Sequence, residues 1–326
     1  MELLREGDID MAPLAGKRVA VLGYGNQGRA QSLNLKDSGI DIVVGLRGAS
    51  GSGDEAEAAG LQIALVEEAA ASADVIMFLA PDEALGGIYN EVEPRIRKGA
   101  AIGFSHGLAI HFGFIAPRPD LDVYLVAPKG PGTALRSLYQ QGQGMVALWS
   151  VSQDASGSAR GIALAYGKAI GCARAGLIAS TFAEECEADL FNEGAVVWGA
   201  VPEILIAGFD TLVDAGISPE VAFLECVGEL KLIAELIEAR GIAGMREAIS
   251  NTAELGAVLG GPRIVDNHVR GRMRDVLKDV RSGRFAERLR TEAESGYPLL
   301  ENARRDARER AVEQVFRELQ KLGGAS

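Results

Sequence analysis

The feature that most limits what this chain can fold into lies near its N-terminus. A β-branched run, Arg18–Leu22, leads without a break into Gly23, Tyr24, Gly25, Asn26, Gln27 and Gly28. A strand that passes through GxGxxG into a helix needs a tight turn at the first glycine. It needs backbone approach to a pyrophosphate at the second and close helix packing at the third. Alone the motif is weak, and a structural glycine turn is its plain alternative. Its context gives it weight, because short apolar runs alternate with helical stretches from about residue 17 to 180. The expected strands are Arg18–Leu22, Ile40–Val44, Val75–Leu79, Ala100–Phe104, Val123–Ala127 and Met145–Ser150. Several are apolar throughout, as strands covered on both faces are. The alternation predicts a doubly wound parallel sheet, an α/β Rossmann-type domain over residues 1–181.

After Thr181 the β signal stops, and residues 182–326 read as an all-helical domain. Thr181 and Glu184 form a capping-box pattern. Ser218 and Pro219 start another helix, which can run to Arg240 with Gly241 as its C-cap. Val196–Phe209 carries very little charge, so it must be buried, in part at a subunit interface. The last twenty residues mix both charge signs and read as a solvated helix. With 48% hydrophobic residues a large core is expected, and the net charge of −12 argues against nucleic acid or anionic membrane as a partner. The acidic start has no apolar segment of a signal peptide, and no run reaches the length of a membrane span. Cys172, Cys186 and Cys226 form no CxxC pair and read as small buried hydrophobes in a reducing compartment. The expectation is a soluble cytoplasmic protein.

Several residues carry possible chemistry. Where a dinucleotide site chooses its cofactor, the chain has Arg47, Ser50 and Ser52 in a glycine-rich loop and lacks the acid that binds an NAD ribose. Arginine with two hydroxyls suits a 2′-phosphate, so NADPH is expected over NADH. His106 and Lys129 each follow an expected strand, where ligand groups of parallel sheets gather. A structural histidine and a surface lysine are the alternatives. His111 and His268 read as structural. Asp189 and Glu193 are four residues apart, as are Glu225 and Glu229. On a helix, each pair shares one face. Four carboxylates brought together repel unless a cation sits among them, and an all-oxygen cage suits Mg²⁺, Mn²⁺ or Ca²⁺. A solvated face stays open for either pair. Glu185 and Glu187 read as solvated charges of the first helical turn.

Taken together, the stretches GYGNQGRAQSLNLKDSG, VVGLR, FLAPDE, SHGLAIHF, VAPKGPG, TFAEECEADLFNE, GELKLI and ISNTAE resemble a ketol-acid reductoisomerase of the short class. The resemblance runs from Gly16 to about Phe285. It implies a Rossmann-type NADPH domain joined to a knotted all-helical domain, and two Mg²⁺ ions at the active site. It also implies a homodimer or higher homo-oligomer whose sites draw on both chains. By matching position, Asp189 and Glu193 would be metal ligands, and Glu225 and Glu229 would be the pair that the partner supplies. Glu229 would move protons. Ser250 would hold the substrate carboxylate or hydroxyl, with His106 as the catalytic active-site histidine and Lys129 as the catalytic lysine of the PKGPG loop. Arg47, Ser50 and Ser52 would surround the 2′-phosphate. Asp82 and Leu85 would border the adenine side, and Gly132 would belong to the cofactor loop. The implied reaction is alkyl migration in 2-acetolactate or 2-aceto-2-hydroxybutyrate, then reduction by NADPH to a 2,3-dihydroxy acid.

The chain departs from the family pattern at Thr133, where a histidine is usual, and at Cys186, Val227, Gly228 and Gly53. These departures leave room for an altered substrate or cofactor preference. Two other readings stand beside the resemblance. One is another NADP-dependent hydroxyacid dehydrogenase with a helical second domain. The other is a non-catalytic NADPH-binding subunit.

Overall fold

The computed structural model describes residues 2–48 and 51–322. Contacts divide the chain into two compact units, Met1–Ala188 and Asp189–Ser326. The division falls inside one helix, Phe182–Asn192.

The first unit is built on a nine-stranded sheet. Its strands are β1 (Leu3–Leu4), β2 (Arg18–Leu22), β3 (Asp41–Leu46), β4 (Gln62–Leu65), β5 (Val75–Phe78), β6 (Ala101–Phe104), β7 (Asp122–Pro128), β8 (Ala147–Gln153) and β9 (Leu177–Ala179). Their order is β1-β9-β8-β7-β6-β5-β2-β3-β4. From β2 the chain winds outward through β3 and β4, then crosses back to β5, β6 and β7, always parallel. The winding therefore reverses between β2 and β5, and a crevice opens beyond their carboxyl ends.

Strand periodicity is visible in the packing. Val19 and Val21 enter the core on one face, with Leu35 and Ile162 from helices Asn26–Asp37 and Ala159–Ala169. Ala20 and Leu22 enter the opposite core, with Ala69 and Ile88 from helices Val66–Ser72 and Asp82–Val92. All residues of β5, β6 and β7 are buried, as their apolar runs predict.

The sheet is not parallel throughout. β8 runs antiparallel to β7, with Pro128 opposite Ala147. The Lys129 amide donates to the Val146 carbonyl at 2.9 Å. The segment between the two strands thus begins and ends at the same end of the sheet, so β8 must run backwards. β1 also pairs antiparallel, with β9.

Among the described residues of the second unit there is only helix. Pro219 occupies the first position of helix Pro219–Phe223 and Ser218 the N-cap, although the Ser218 side chain makes no capping bond. Gly241, at φ 68°, breaks the helical stretch Leu230–Ala248 just after Arg240. Two π-helical turns interrupt the α-helices, at Glu193–Val197 and Leu224–Gly228. A small core holds Phe209, Ala222, Val312 and Val315. The C-terminal helix Ala311–Leu322 is therefore docked along one face, not solvated all round.

Within one chain the apolar helix Ala200–Asp214 buries only Phe209. Val196, Val197, Trp198 and Ile204 lie exposed. Within the helical stretch Phe182–Asp214, an 18-residue window has a mean hydropathy of 1.6, long and apolar enough by composition alone to cross a membrane. Glu203 and Asp210 interrupt that window, so it holds no uninterrupted apolar run of membrane-spanning length.

Helix Asn26–Asp37 packs against β2 through Gly28, where an added Cβ would lie 2.3 Å from the Gly23 carbonyl oxygen. Gly28→Ala is therefore expected to lower the unfolding free energy by about 2 kcal/mol. Denaturant titration measures this, and unchanged stability would show that the helix can slide away from the turn.

Candidate active site

The reversal point of the sheet carries the glycine turn. Gly23 has φ 107°, and a Cβ there would lie 2.7 Å from the Leu79 carbonyl oxygen. Only glycine fits between the carboxyl ends of β2 and β5. Gly25 is exposed, has open space around it and is the N-cap of helix Asn26–Asp37. No side chain caps that N-terminus, which leaves its first amides available to an anion. A cavity of about 180 Å³ lies here, lined by Gly23, Gly25, Arg47, Leu79 and Pro81 among others.

The other expected cofactor residues fall in different places. Arg47 is exposed on the cleft wall, and Ser52 is exposed on the first turn of helix Gly51–Ala58. Ser50 lies outside the described residues. Tyr24 also lines the cleft and is mostly buried. Asn26 and Gln27 face the loop after β7. Gln27 Nε2 donates to the Gly130 carbonyl at 2.9 Å, and a Cβ on Gly132 would lie 2.1 Å from the Asn26 carbonyl oxygen. Gly132 is thus a close-approach glycine between loop and nucleotide helix. Leu85 is buried in the core with Ile88 and Tyr89 and is not among the residues that line this cavity. Asp82 acts on His106 through its charge.

His106 and Lys129 follow the adjacent parallel strands β6 and β7, so both stand at the carboxyl end of the sheet. Between them lies Glu185, from the first turns of helix Phe182–Asn192, with only 1% of its surface exposed. Glu185 Oε1 accepts from Lys129 Nζ at 2.8 Å. Its Oε2 accepts from the Gly107 amide at 2.8 Å and lies 3.1 Å from His106 Nδ1. The helix can press this close because residue 107 is glycine: a Cβ there would lie 2.3 Å from the Phe182 carbonyl oxygen. The helix start is fixed by Thr181 Oγ1, which accepts from the Glu184 amide at 2.9 Å. Ser180 Oγ donates to the Glu184 carboxylate at 2.8 Å.

The sequence expectation of Glu185 as a solvated first-turn charge is therefore wrong. Burial alone would raise the Glu185 carboxyl, but hydrogen bonds and charge from His106 and Lys129 outweigh it and hold the carboxyl below its usual range. Burial alone would likewise lower His106. Hydrogen bonds to Cys186 and Glu185, with the charges of Glu185 and Asp82, instead raise it from 6.5 to about 11. At neutral pH the group is imidazolium, carboxylate and ammonium. Cys186 is fully buried, as expected, but bonds to His106 besides packing. Burial pushes the Cys172 thiol up to about 12, which fits its inert reading. His111 Nε2 lies 3.5 Å from the half-buried Glu187 carboxylate, so Glu187 is not simply solvated.

One signal in the sequence would have revealed Glu185. It precedes Asp189 by four residues, as Asp189 precedes Glu193. The acidic face of this helix has three members, not two. Asp189 is half-buried one turn beyond Glu185, while Glu193, at the start of a π-helical turn, is exposed. Glu225 lies inside the second π-helical turn, and Glu229 directly follows it; both are exposed. π-helical turns recur at functional sites. Among the described residues, the two acidic pairs do not converge within one chain. Ser250 is the exposed N-cap of helix Asn251–Ile264, where its hydroxyl accepts from the Ala253 amide at 3.2 Å. Thr133 is the exposed second residue of helix Gly132–Gln140.

Residues 13–176 match the family model described as acetohydroxy acid isomeroreductase, NADPH-binding domain. Residues 182–323 match that described as ketol-acid reductoisomerase, C-terminal domain. The chain is similar to the structure of an NADH-preferring ketol-acid reductoisomerase from an uncultured archean. The two share 42% identity over 100% of both chains, with a TM-score of 0.96. It also shares its fold with a semialdehyde dehydrogenase NAD-binding protein from Cupriavidus necator, at 19% identity over 82% of this chain and 99% of that one, with a TM-score of 0.61. A putative oxidoreductase from Jannaschia sp. gives 18% identity over 81% and 97%, with a TM-score of 0.59. At these identities the last two establish the fold alone.

A histidine whose pKa is raised on folding stabilises the protein fully below its unfolded value, here about 6.5, and loses that contribution as pH rises through the folded value. In protein stripped of divalent metal, the His106 ring is expected to stay protonated past about pH 9, and Glu185→Gln should lower its midpoint by more than about one pH unit. Ring-nitrogen NMR measures both. A wild-type midpoint near 6.5 would show that the Glu185 contact does not form in solution.

Proposed function

The chain belongs to the ketol-acid reductoisomerase family and is an NAD(P)H-dependent oxidoreductase of branched-chain amino acid biosynthesis, and we propose how its residues divide the work. The family is one of soluble metabolic enzymes, so the apolar helix needs a covering other than lipid. The reaction moves an alkyl group between adjacent carbons of an acetohydroxy acid and then reduces the resulting 2-keto acid to a 2,3-dihydroxy acid. The observation that carries the residue assignment is the buried Glu185, bonded to His106 and Lys129 one helical turn before Asp189.

Asp189, Glu193, Glu225 and Glu229 are all carboxylates, the donor set of a hard divalent cation. They would hold two Mg²⁺ ions. When bound, the ions would favour an ionised tertiary alcohol and polarise the neighbouring ketone. The chain's own residues do the rest. His106 and Lys129 present cationic N–H donors where negative charge gathers on substrate oxygen. Glu229 takes up and returns the substrate proton. Ser250, whose oxygen already accepts from Ala253, keeps its hydroxyl proton to donate to the substrate carboxylate. Gly23, Gly25 and the open amides of the nucleotide helix hold the dinucleotide.

The functional assembly is a homodimer with shared sites. Within one chain the helical unit leaves Trp198 70% exposed and Ile242 and Leu259 each 62% exposed. A partner would cover these apolar side chains and bring in Glu225 and Glu229. Mixing inactive Asp189→Asn chains with inactive Glu229→Gln chains and letting them exchange should restore roughly a quarter of wild-type turnover, since half the sites in mixed dimers are intact. No recovery would place all four carboxylates of a site in one chain.

Arg47 and Ser52 support NADPH. The NADH preference of the similar archaeal enzyme makes NADH the alternative. With acetolactate and Mg²⁺, Arg47→Ala is expected to raise the KM for NADPH at least about tenfold, the value of one charge-assisted phosphate contact, and to leave that for NADH within about twofold. Equal effects on both would remove Arg47 from the phosphate site. The absence of nucleotide oxidation with either acetohydroxy acid would overturn the substrate reading.

A further inference from the structure

Gln31 has none of its surface exposed, yet it lies at the middle of the helix that opens the nucleotide cleft. A buried amide is tolerated when all its polar atoms are partnered. Gln31 Nε2 donates to Gln27 Oε1 at 3.1 Å and to Ser105 Oγ at 2.9 Å. Its Oε1 accepts from the Tyr166 hydroxyl at 2.7 Å. Both donor bonds continue to backbone. Gln27 Nε2 donates to the Gly130 carbonyl at 2.9 Å, and Ser105 Oγ donates to the Val126 carbonyl at 2.9 Å.

The direction of every bond is fixed. Carbonyl oxygens only accept, so Gln27 and Ser105 must each spend a proton on Gly130 and Val126. That leaves acceptors facing Gln31, which must present its NH₂ to both and its oxygen to Tyr166. One amide orientation satisfies the network, and no other residue of this size does. The two branches end beside the chemistry: Ser105 immediately precedes His106, and Gly130 immediately follows Lys129. The same helix grips the segment after Lys129 a second time. Arg136 donates to Asn34 Oδ1 at 2.9 Å and pairs with Asp37 at 2.7 Å.

We propose that Gln31 is a positioning residue of the reaction, whose amide holds the His106 and Lys129 loops in register with the N-terminus of the nucleotide helix. Dinucleotide seated on that N-terminus and substrate held by the two cations are then aligned through one buried side chain. The inference rests on the placement of His106 and Lys129 in the reaction. That placement is tested separately by His106→Ala and Lys129→Ala, where wild-type turnover would refute it whatever Gln31 does.

The test is steady-state kinetics of Gln31→Glu, Gln31→Leu and Gln27→Leu in the full-length Mg²⁺-loaded enzyme, alongside thermal unfolding. Gln31→Glu keeps shape but reverses polarity, because an ionised carboxylate has no proton for Gln27 or Ser105. Its kcat is expected to fall by at least about tenfold, the scale of a small misalignment of reacting groups. The ratio of variant to wild-type kcat should drop further from pH 6 to pH 9, as the introduced carboxyl loses the one proton it can donate. Gln31→Leu should lose kcat without that pH dependence. Gln27 is only half-buried, so Gln27→Leu should fold normally and still lower kcat more than about threefold, with KM for nucleotide changed less. If Gln31→Glu fails to fold, Gln27→Leu decides. Wild-type kcat in Gln27→Leu, or in Gln31→Glu across the pH range, would overturn the proposal. So would a pH-independent loss in Gln31→Glu equal to that in Gln31→Leu.

Discussion

The site depends on one buried carboxylate. Glu185 is almost wholly removed from water, and a charge in that position is costly unless matched. It is matched twice, by His106 and by Lys129, and its remaining capacity is taken by the Gly107 amide. The strands β6 and β7 bring the two cations to neighbouring positions, and the helix beginning at Phe182 brings the anion between them. If any of these elements shifted, a charge would be left buried without its partner. The contact therefore ties the sheet's carboxyl edge to the helix that also carries Asp189. It also raises the His106 pKa against the lowering effect of burial, through hydrogen bonds to Cys186 and Glu185 and the charges of Glu185 and Asp82.

Behind this charged layer lies a neutral polar one. Helix Asn26–Asp37 buries Gln31, Ser32 and Asn34 where an ordinary sheet-packed helix would bury aliphatic side chains. Apolar packing is nondirectional and would tolerate small slides of the helix. Hydrogen bonds do not, because each needs its distance and angle. Gln31 and Asn34 thus trade some hydrophobic stabilisation for a fixed register between the nucleotide turn and the loops after β6 and β7. Glycine does the complementary work at Gly23, Gly28, Gly107 and Gly132, where a Cβ would strike backbone.

The helical unit follows a different logic. Its core among the described residues is small, and large apolar side chains stay exposed on most of its helices. The homodimer proposed above would cover this apolar surface over Val196–Phe209. The family membership excludes the lipid alternative that composition alone would allow. The two π-helical turns belong to the same economy. Glu193, Glu225 and Glu229 lie in or beside these turns at exposed positions.

The short strands β1, β4 and β9 escaped the sequence, but by itself it determined the other six strands, the glycine turn, the switch from alternating elements to continuous helix, and the four-residue spacing of the acidic pairs. These are local matters: period-two and period-3.6 patterns and the steric freedom of glycine act within a few residues. The positions of His106 and Lys129 were legible too, because a strand's carboxyl end is a position along the chain. What only the tertiary structure decided depends on which residues stand opposite one another. β8 reversed because the Lys129 loop closes back on Val146. Glu185 is buried because two cations and an amide stand where its helix lands; its four-residue spacing from Asp189 marked the face it shares but not what that face meets. Leu85 packs into the core because its helix turns that face to the sheet. Spacing fixes the face of a helix on which a side chain stands; only packing fixes what that face meets.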